Sequence, residues 1–142
     1  MWESASRGGL AQWGATPLAS LALIVVLDQF PRNMFRGDAR AFSTDAQALA
    51  AATRALERGF DRVPLAHERT FVYLPFEHAE DIAVQRRSVE LFGARDPDNL
   101  EWAKRHHEIV ERFGRFPHRN AALGRKSTPE EIEFLKRPGS SF

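Results

Sequence analysis

The sequence predicts an all-α protein, built as a helical bundle or an array of helix hairpins. Apolar side chains recur at three- and four-residue spacing along most of the 142 residues, as on one face of an α-helix. No segment alternates apolar and polar residues like a half-buried strand, and neither Asn-Gly nor Asp-Gly, the usual hairpin turns, occurs. Capping residues, glycines and prolines divide the chain into five or six helices joined by short loops.

The first third of the chain predicts a frayed helical end and a central buried helix. Residues 1–14 are small and polar with few apolar anchors. Thr16 followed by Pro17 is a typical helix start, a hydroxyl before a proline at the first helical position. Residues 18–30 are apolar almost all round, which predicts a buried helix, although their β-branched centre would also suit a buried strand. We expect Pro31 to end this element.

The next two elements are amphipathic. Ser43 or Thr44 is expected to cap a helix that carries Asp45 in its first turn and stops at Gly59. After Pro64 a second helical stretch begins, in which Pro75 is expected to cause a bend or break. The stripe predicted to be buried in this stretch comprises His67, Phe71, Leu74 and His78, and it continues as Ile82, Gln85, Val89 and Phe92.

Two further helices complete the chain. Asp98 or Asn99 is expected to cap the first, which has Glu101–Arg105 and Glu108–Arg112 at the spacing of ion pairs on its outer face. The face predicted to be buried comprises Trp102, His106, Ile109, Val110 and Phe113. A capping hydroxyl followed by proline and two acids over residues 127–131 opens the last helix, which runs through Leu135. Residues 137–142 are predicted to be a loose tail.

Length and composition indicate one domain over residues 1–142 and exclude several function classes. With 43% hydrophobic and 27% charged residues the chain is ordinary for a globular protein. A net charge of +1 disfavours nucleic acid as a partner. The absence of cysteine excludes disulfides, thiolate metal sites and cysteine nucleophiles. No apolar run is long enough to span a membrane and no signal peptide opens the chain, so we expect a soluble, cytoplasmic protein.

Two distant segments resemble each other. Phe30-Pro31-Arg32-Asn33 is matched by Phe116-Pro117-His118-Arg119-Asn120, and each is followed by a further arginine and a glycine. An arginine fork beside an asparagine amide can close a neighbouring helix end through its free carbonyls. It can equally bind a carboxylate or phosphate. The sequence leaves both interpretations open.

The histidines do not assemble a recognisable metal motif. Three of the five, His67, His78 and His106, fall on apolar stripes, and His118 lies in the second Phe-Pro segment. Neither His-Glu-x-x-His nor Glu-x-x-His occurs, so no metal site and no cofactor are predicted. A Gly-x-Ser-x-Gly elbow and the glycine-rich phosphate loops are also missing, which disfavours the enzyme classes that need them.

Several motifs together resemble the bacterial family catalogued as domain of unknown function 924. They are LDQFPRN at residues 27–33, PFEH at 75–78, RFGRFPHRN at 112–120, LGR at 123–125 and STPEE at 127–131. The resemblance covers about residues 10–135. It implies a tetratricopeptide-like, all-helical fold in a cytoplasmic protein, and it brings no settled activity, substrate or cofactor.

The chain departs from that family in two places. Relatives have a further N-terminal helical portion, rich in Trp and Phe, before the segment that matches residues 10–13. The resemblance therefore implies a shortened member or a late start, with one wall of a groove missing. Ala79 stands where the family commonly has serine, so no hydroxyl is expected there.

We expect a helical binding domain whose polar groove recognises an anionic small molecule or a peptide carboxylate. Arginines would clamp the anion, asparagine would orient it, and histidine would donate or accept a hydrogen bond. The candidate ligand-binding residues are Asp28, Arg32, Asn33, Arg36, Glu77, His78, His106, Arg115, His118, Arg119 and Asn120.

Two alternatives stay open, and the sequence leaves open whether the chain is an enzyme at all. A hydrolase could pair Asp28 or Glu77 with His78 or His118 as acid and base. The same motifs could also only join helices in a protein-interaction domain. The sequence gives no indication of oligomeric state.

Overall fold

The computed structural model describes residues 1–142 and contains helices but no strand, which confirms the predicted all-α class. The α-helices are α1 (Trp2–Ser6), α2 (Pro17–Met34), α3 (Asp45–Glu57), α4 (Ala66–Glu77), α5 (Ile82–Arg95), α6 (Leu100–Phe113) and α7 (Pro129–Leu135). Short 3-10 turns stand between them at Ala11–Ala15, Ala39–Phe42, Phe60–Arg62, Pro97–Asn99 and Pro117–Arg119.

Consecutive helices pack against each other, α2 on α3, α4 on α5 and α5 on α6, as an array of helix hairpins requires. Helix α4 also contacts α2 and α3, so α2 lies at the centre of the main core. The buried face of α3 consists of alanines, which let that helix approach α2 closely. None of the helices combines the length and the apolarity that crossing a lipid bilayer requires.

A second, smaller apolar cluster holds the C-terminal part of the chain. Ile109 and Val110 of α6 pack with Phe116, and Phe113 and Phe134 flank them. Phe116 directly precedes the 3-10 turn Pro117–Arg119. The cluster therefore fixes that turn, and with it His118 and Arg119, against α6.

Helix α2 continues through Pro31 to Met34, so the prediction that Pro31 ends it is wrong. Proline has no N–H, and the carbonyl of Leu27 therefore loses its usual partner within the helix. The hydroxyl of Thr44 supplies the missing hydrogen bond by donating to the Leu27 oxygen, and it accepts one from the indole of Trp2. Thr44 was expected to cap α3, but its hydroxyl makes no capping bond there and serves α2 instead.

The buried face of α4 differs from the predicted stripe. His67 is exposed and Phe71 is 36% exposed, whereas Tyr73 and Phe76 are buried. Tyr73 fixes this rotation, because its ring packs against Phe92 and its hydroxyl donates to a buried carboxylate. Pro75 lies inside α4, which ends soon afterwards at Glu77.

The face predicted to be buried in α6 is confirmed for His106, Ile109 and Val110, and Trp102 is the exception. Ala103 is fully buried, and Trp102 is half exposed with Arg105 lying over its ring. The expected ion pairs along this helix do not form. Glu101 bonds with Lys104 instead, and Arg112 of the same helix reaches Glu130 of α7.

The last helix has the predicted start, and the tail after it touches the rest of the chain through Ser140 and Phe142. The predicted start of α7 is confirmed, since the Thr128 hydroxyl accepts from the Glu131 amide and the Glu131 carboxylate accepts from the Thr128 amide. In the tail, residues 137–142, Ser140 is buried, the other residues are exposed, and the ring of Phe142 stacks on His106. This packing brings Phe142 to the cavity described next.

Candidate functional site

A cavity of about 480 Å³ opens where the C-terminal ends of α2 and α4 meet α6, the turn Pro117–Arg119 and the tail. Such a volume suits a small organic molecule. The predicted site residues that line it are Arg32, Asn33, Arg36, His78, His106, His118 and Arg119. Further parts of the wall come from Gln29, Phe42, Leu74 and Phe142.

The charged side chains on the cavity wall include three arginines, Arg32, Arg36 and Arg119, and no Asp or Glu side chain lines it. Arg36 is exposed and makes neither an ion pair nor a side-chain hydrogen bond within the protein. Arg119 is the opposite case, since its side chain is only 6% exposed. The wall therefore offers one free guanidinium at the surface and one held deep inside.

The two similar segments meet at Asp45, in the first turn of α3. Arg32 of the first segment donates to both oxygens of this carboxylate at 2.6 and 2.9 Å, and Arg119 of the second approaches it at 3.3 Å. Arg119 also donates to the carbonyl of His78, just beyond the end of α4. The helix-capping interpretation thus describes Arg119, which at the same time faces the cavity.

His78 is held by a buried carboxylate. Its Nδ1 lies 2.8 Å from Oδ1 of Asp28, whose side chain is 2% exposed. Burial by itself raises the pKa of Asp28, but the charge and hydrogen bond of His78, aided by Arg32 and the Gln29 amide, lower that pKa to about 2. Because an ionised carboxylate only accepts, Nδ1 of His78 donates, and Nε2 is left without a partner in the protein.

A second carboxyl–imidazole pair joins His106 of the wall to the buried Glu77, and it is uncharged at neutral pH. Oε1 of Glu77 and Nδ1 of His106 are 3.1 Å apart, and this nitrogen donates its hydrogen to the Trp102 carbonyl at 2.7 Å. Burial, with the charges of Asp28 and Asp96, raises the pKa of Glu77 to about 8. Burial lowers the pKa of His106 to about 3 in spite of the Trp102 carbonyl. Each group is thus stabilised in its neutral form.

Two buried polar atoms near the cavity lack a partner. They are Nδ1 of His118 and Nε of Arg119. Burial, together with the neighbouring Arg119 charge, lowers the pKa of His118 to about 4, so that its ring is neutral at pH 7. Burial also lowers the pKa of Arg119, to about 10, which still leaves it charged. Buried polar atoms are normally satisfied, so these two are candidates for contact with a ligand or water.

Arg115 and Asn120 lie outside the cavity. Arg115 donates to both oxygens of Glu131 at 2.8 and 2.9 Å, and Asn120 donates to Ser127 and Glu131. Arg125 completes the network by donating to the Asn120 oxygen. These contacts attach α7 to the second Phe-Pro segment, so the two residues support the wall without forming part of it.

Sequence reasoning missed some residues of this site. Asp45 was noted only as a first-turn acid, although two buried or half-buried arginines implied a shared counter-ion somewhere in the fold. Phe42 was not singled out, and nothing in the local sequence around Phe142 indicates that its ring turns back to the cavity. No three side chains able to ligate a metal converge on one point.

Comparison with known proteins identifies relatives but no activity. Residues 1–139 match the family described as bacterial protein of unknown function (DUF924). The fold is similar to the solved structure of a protein of unknown function from Agrobacterium tumefaciens, with 47% sequence identity and a TM-score of 0.92. That match covers 95% of this chain and 77% of the other. No curated protein matches the sequence.

Proposed function

This chain belongs to the bacterial DUF924 family, and from the chemistry of its cavity we propose that it binds an anionic small molecule or a peptide carboxylate. One observation carries the proposal: the charged side chains that line the cavity are three arginines. Guanidinium forks match the geometry of carboxylate and phosphate oxygens. His106 and His118, which burial keeps neutral, and the Gln29 and Asn33 amides add hydrogen-bonding groups that would orient the anion.

The balance of charge at the wall favours a net attraction for anions. Asp45 is shared between Arg32 and Arg119 and lies behind the lining. Arg36 has no counter-ion, so an incoming carboxylate meets a guanidinium that is already free. The partly enclosed cavity would strengthen this contact, because water screens charges less there than at an open surface.

Arg36 provides the direct test of anion binding. We expect succinate or inorganic phosphate to bind the wild-type protein, and Arg36→Ala to weaken that binding about tenfold, as the loss of one charge-assisted hydrogen bond implies. Isothermal titration calorimetry at two salt concentrations measures the effect. Arg54→Ala, which removes an exposed arginine of α3 outside the cavity, is the matched control and should bind like wild type.

Two results would contradict the proposal. If neither anion binds the wild-type protein, the cavity arginines are left with the structural contacts already described, as in a protein-interaction domain. If Arg36→Ala and Arg54→Ala weaken binding equally, the effect comes from the general charge of the protein and not from the cavity.

A hydrolase is the second candidate function, and the Asp28–His78 pair is the observation that favours it. Asp28 orients the imidazole through Nδ1, which makes Nε2 the basic nitrogen on the wall of an arginine-lined cavity. Nε2 of His78 would take a proton from a water molecule while the water oxygen attacks an ester carbonyl. The carbon–oxygen bond of the ester would then break, and the alkoxide or phenolate would leave. Mono-4-nitrophenyl succinate supplies both the anion and the ester. Activity absent from wild type, or retained in His78→Gln, would exclude this candidate.

A further inference from the structure

The tail places an aromatic ring against an aromatic surface of the cavity. Phe142 stacks on His106 with ring centres 3.7 Å apart and an interplanar angle of 19°. Two more rings lie nearly perpendicular to it, Phe116 with its centre 6.4 Å away and His118 with its centre 5.8 Å away. Stacked and edge-to-face contacts of this kind are the favoured geometries of aromatic pairs.

His106, Phe116 and His118 form a slot for a flat ring, which we call the ring slot. The ring slot has one parallel face and two perpendicular walls, as the position of Phe142 shows. Burial keeps both imidazoles uncharged at neutral pH, so they behave as aromatic surfaces and not as cations. His106 and His118 line the same cavity as the three arginines.

Phe142 fits the ring slot without belonging to the hydrophobic core. It takes part in neither of the two apolar clusters, and it is 48% exposed although one face of its ring is covered by His106. A side chain held in this way can leave without opening the core. Its ring therefore occupies a place that a ring from another molecule can take.

We propose that the cavity recognises an aromatic carboxylate, whose ring enters the ring slot while its carboxylate meets the arginines, and that Phe142 competes for the slot. The inference rests on the proposed anion-binding function and adds the class of ligand. The ring slot supplies apolar and stacking contact, and the arginine-lined wall supplies the charge. A ligand that has only an aromatic ring or only a carboxylate contacts only the ring slot or only the arginines.

Three probes of equal charge separate the contributions: acetate, cyclohexylacetate and phenylacetate. We expect phenylacetate to bind wild type more tightly than cyclohexylacetate, because only the flat ring can stack on His106, and acetate to bind weakest. In Phe142→Ala the affinity for phenylacetate should rise roughly three- to tenfold, and that for acetate should not change. Calorimetric titration at pH 7 gives all the affinities.

The controls address folding and location. Phe142→Leu keeps an apolar side chain and should give a smaller gain than Phe142→Ala, which tests competition if the alanine variant is unstable. Phe71→Ala removes a partly exposed ring of α4 outside the cavity and should leave every affinity unchanged. Thermal unfolding of each variant verifies that it is folded.

The outcomes distinguish this inference from the function on which it rests. Equal affinities for phenylacetate and cyclohexylacetate, or no gain in either Phe142 variant, would overturn the ring slot. The anion-binding function would survive that result if succinate or phosphate still binds in an Arg36-dependent way. Failure of succinate, phosphate and all three monocarboxylates to bind would overturn both.

Discussion

A Glu77→Gln variant is expected to keep its stability above pH 6.5, where the wild-type protein should lose about 1.4 kcal/mol per pH unit up to about pH 8. The loss follows from the buried carboxyl of Glu77, whose pKa is raised from 4.5 to about 8 by burial and by the charges of Asp28 and Asp96. Between those two values the folded protein retains a proton that the unfolded chain has released. Raising the pH therefore favours unfolding, and an uncharged glutamine removes the effect.

The histidines act in the opposite direction at lower pH. Burial lowers the pKa of His106 from 6.5 to about 3 and that of His118 from 6.5 to about 4. Below pH 6.5 the unfolded chain binds protons at both rings and the folded protein does not, so stability falls as the pH falls. Between pH 4.5 and 6.5 the two histidines outweigh Glu77, which places the maximum of wild-type stability near pH 6.5.

Two ionised carboxylates steepen the acid limb further. The pKa of Asp28 is lowered to about 2 by His78 and Arg32 against the effect of burial, and that of Glu131 is lowered to about 2, chiefly by its hydrogen bonds from Arg115. Their stabilising contribution is complete above their ordinary pKa values near 4 and is lost as the pH falls towards 2. It is therefore the same in wild type and Glu77→Gln above pH 6.5.

Urea unfolding at pH 5.5, 6.5 and 8 measures these slopes. The wild-type protein and the control Glu108→Gln, an exposed glutamate of α6, should both lose stability between pH 6.5 and 8. Glu77→Gln should keep its stability over that range, and it should still lose stability as the pH falls below 6.5. A Glu77→Gln variant that declines as steeply as wild type would mean that Glu77 is ionised in the folded protein.

The helices could be predicted from sequence because their signals are local. The apolar repeat, the capping box at Thr128 and the stop at Gly59 each depend on residues within one or two turns. The course of α2 depends on more distant residues. Its passage through Pro31 needs the hydroxyl of Thr44, which lies 17 residues from the Leu27 carbonyl that it serves.

Which face of a helix is buried was the less predictable part. Helix α4 has two competing stripes, and the one that contains Tyr73 is buried because Asp61 and Phe92 receive that side chain. In α6 the small side chain of Ala103 takes the buried position, and Trp102 remains half exposed under Arg105. These choices are made by the shapes of neighbouring elements, which a one-dimensional pattern does not contain.

The candidate site was found by residue type, and its geometry came from the fold. The likeness of the two Phe-Pro segments singled out Arg32 and Arg119, but nothing local shows that both reach Asp45, 74 residues before Arg119. The same holds for Asp28 and His78, which are 50 residues apart and form one hydrogen bond. Such long-range pairs require the three-dimensional arrangement of α2, α3 and α4.

Arg119→Met is expected to destabilise the protein by about 3 kcal/mol, the low end of what removing one partner of a buried ion pair costs. Its guanidinium is buried between the rings of Phe42 and Phe116, at 4.5 and 4.6 Å from their centres, and donates to the His78 carbonyl. Methionine keeps much of the side-chain volume but leaves that carbonyl with one fewer donor. The cost stays near the low end because Asp45, the shared carboxylate, is still paired with Arg32.

The comparison of Arg119 with Arg112 decides whether burial or ion pairing alone accounts for the expected loss of stability. Arg112 pairs with Glu130 at 2.7 Å, a shorter contact than any that Arg119 makes with a carboxylate, but its side chain is 43% exposed. We therefore expect Arg112→Met to cost less than about 1 kcal/mol in the same urea titration. The loss of stability in Arg119→Lys should lie between those of Arg119→Met and Arg112→Met. Lysine keeps the charge but lacks the flat guanidinium that lies between the rings of Phe42 and Phe116. Equal losses for Arg119→Met and Arg112→Met would show that Arg119 stabilises the fold no more than a surface arginine does, and that its burial at the cavity adds nothing to stability.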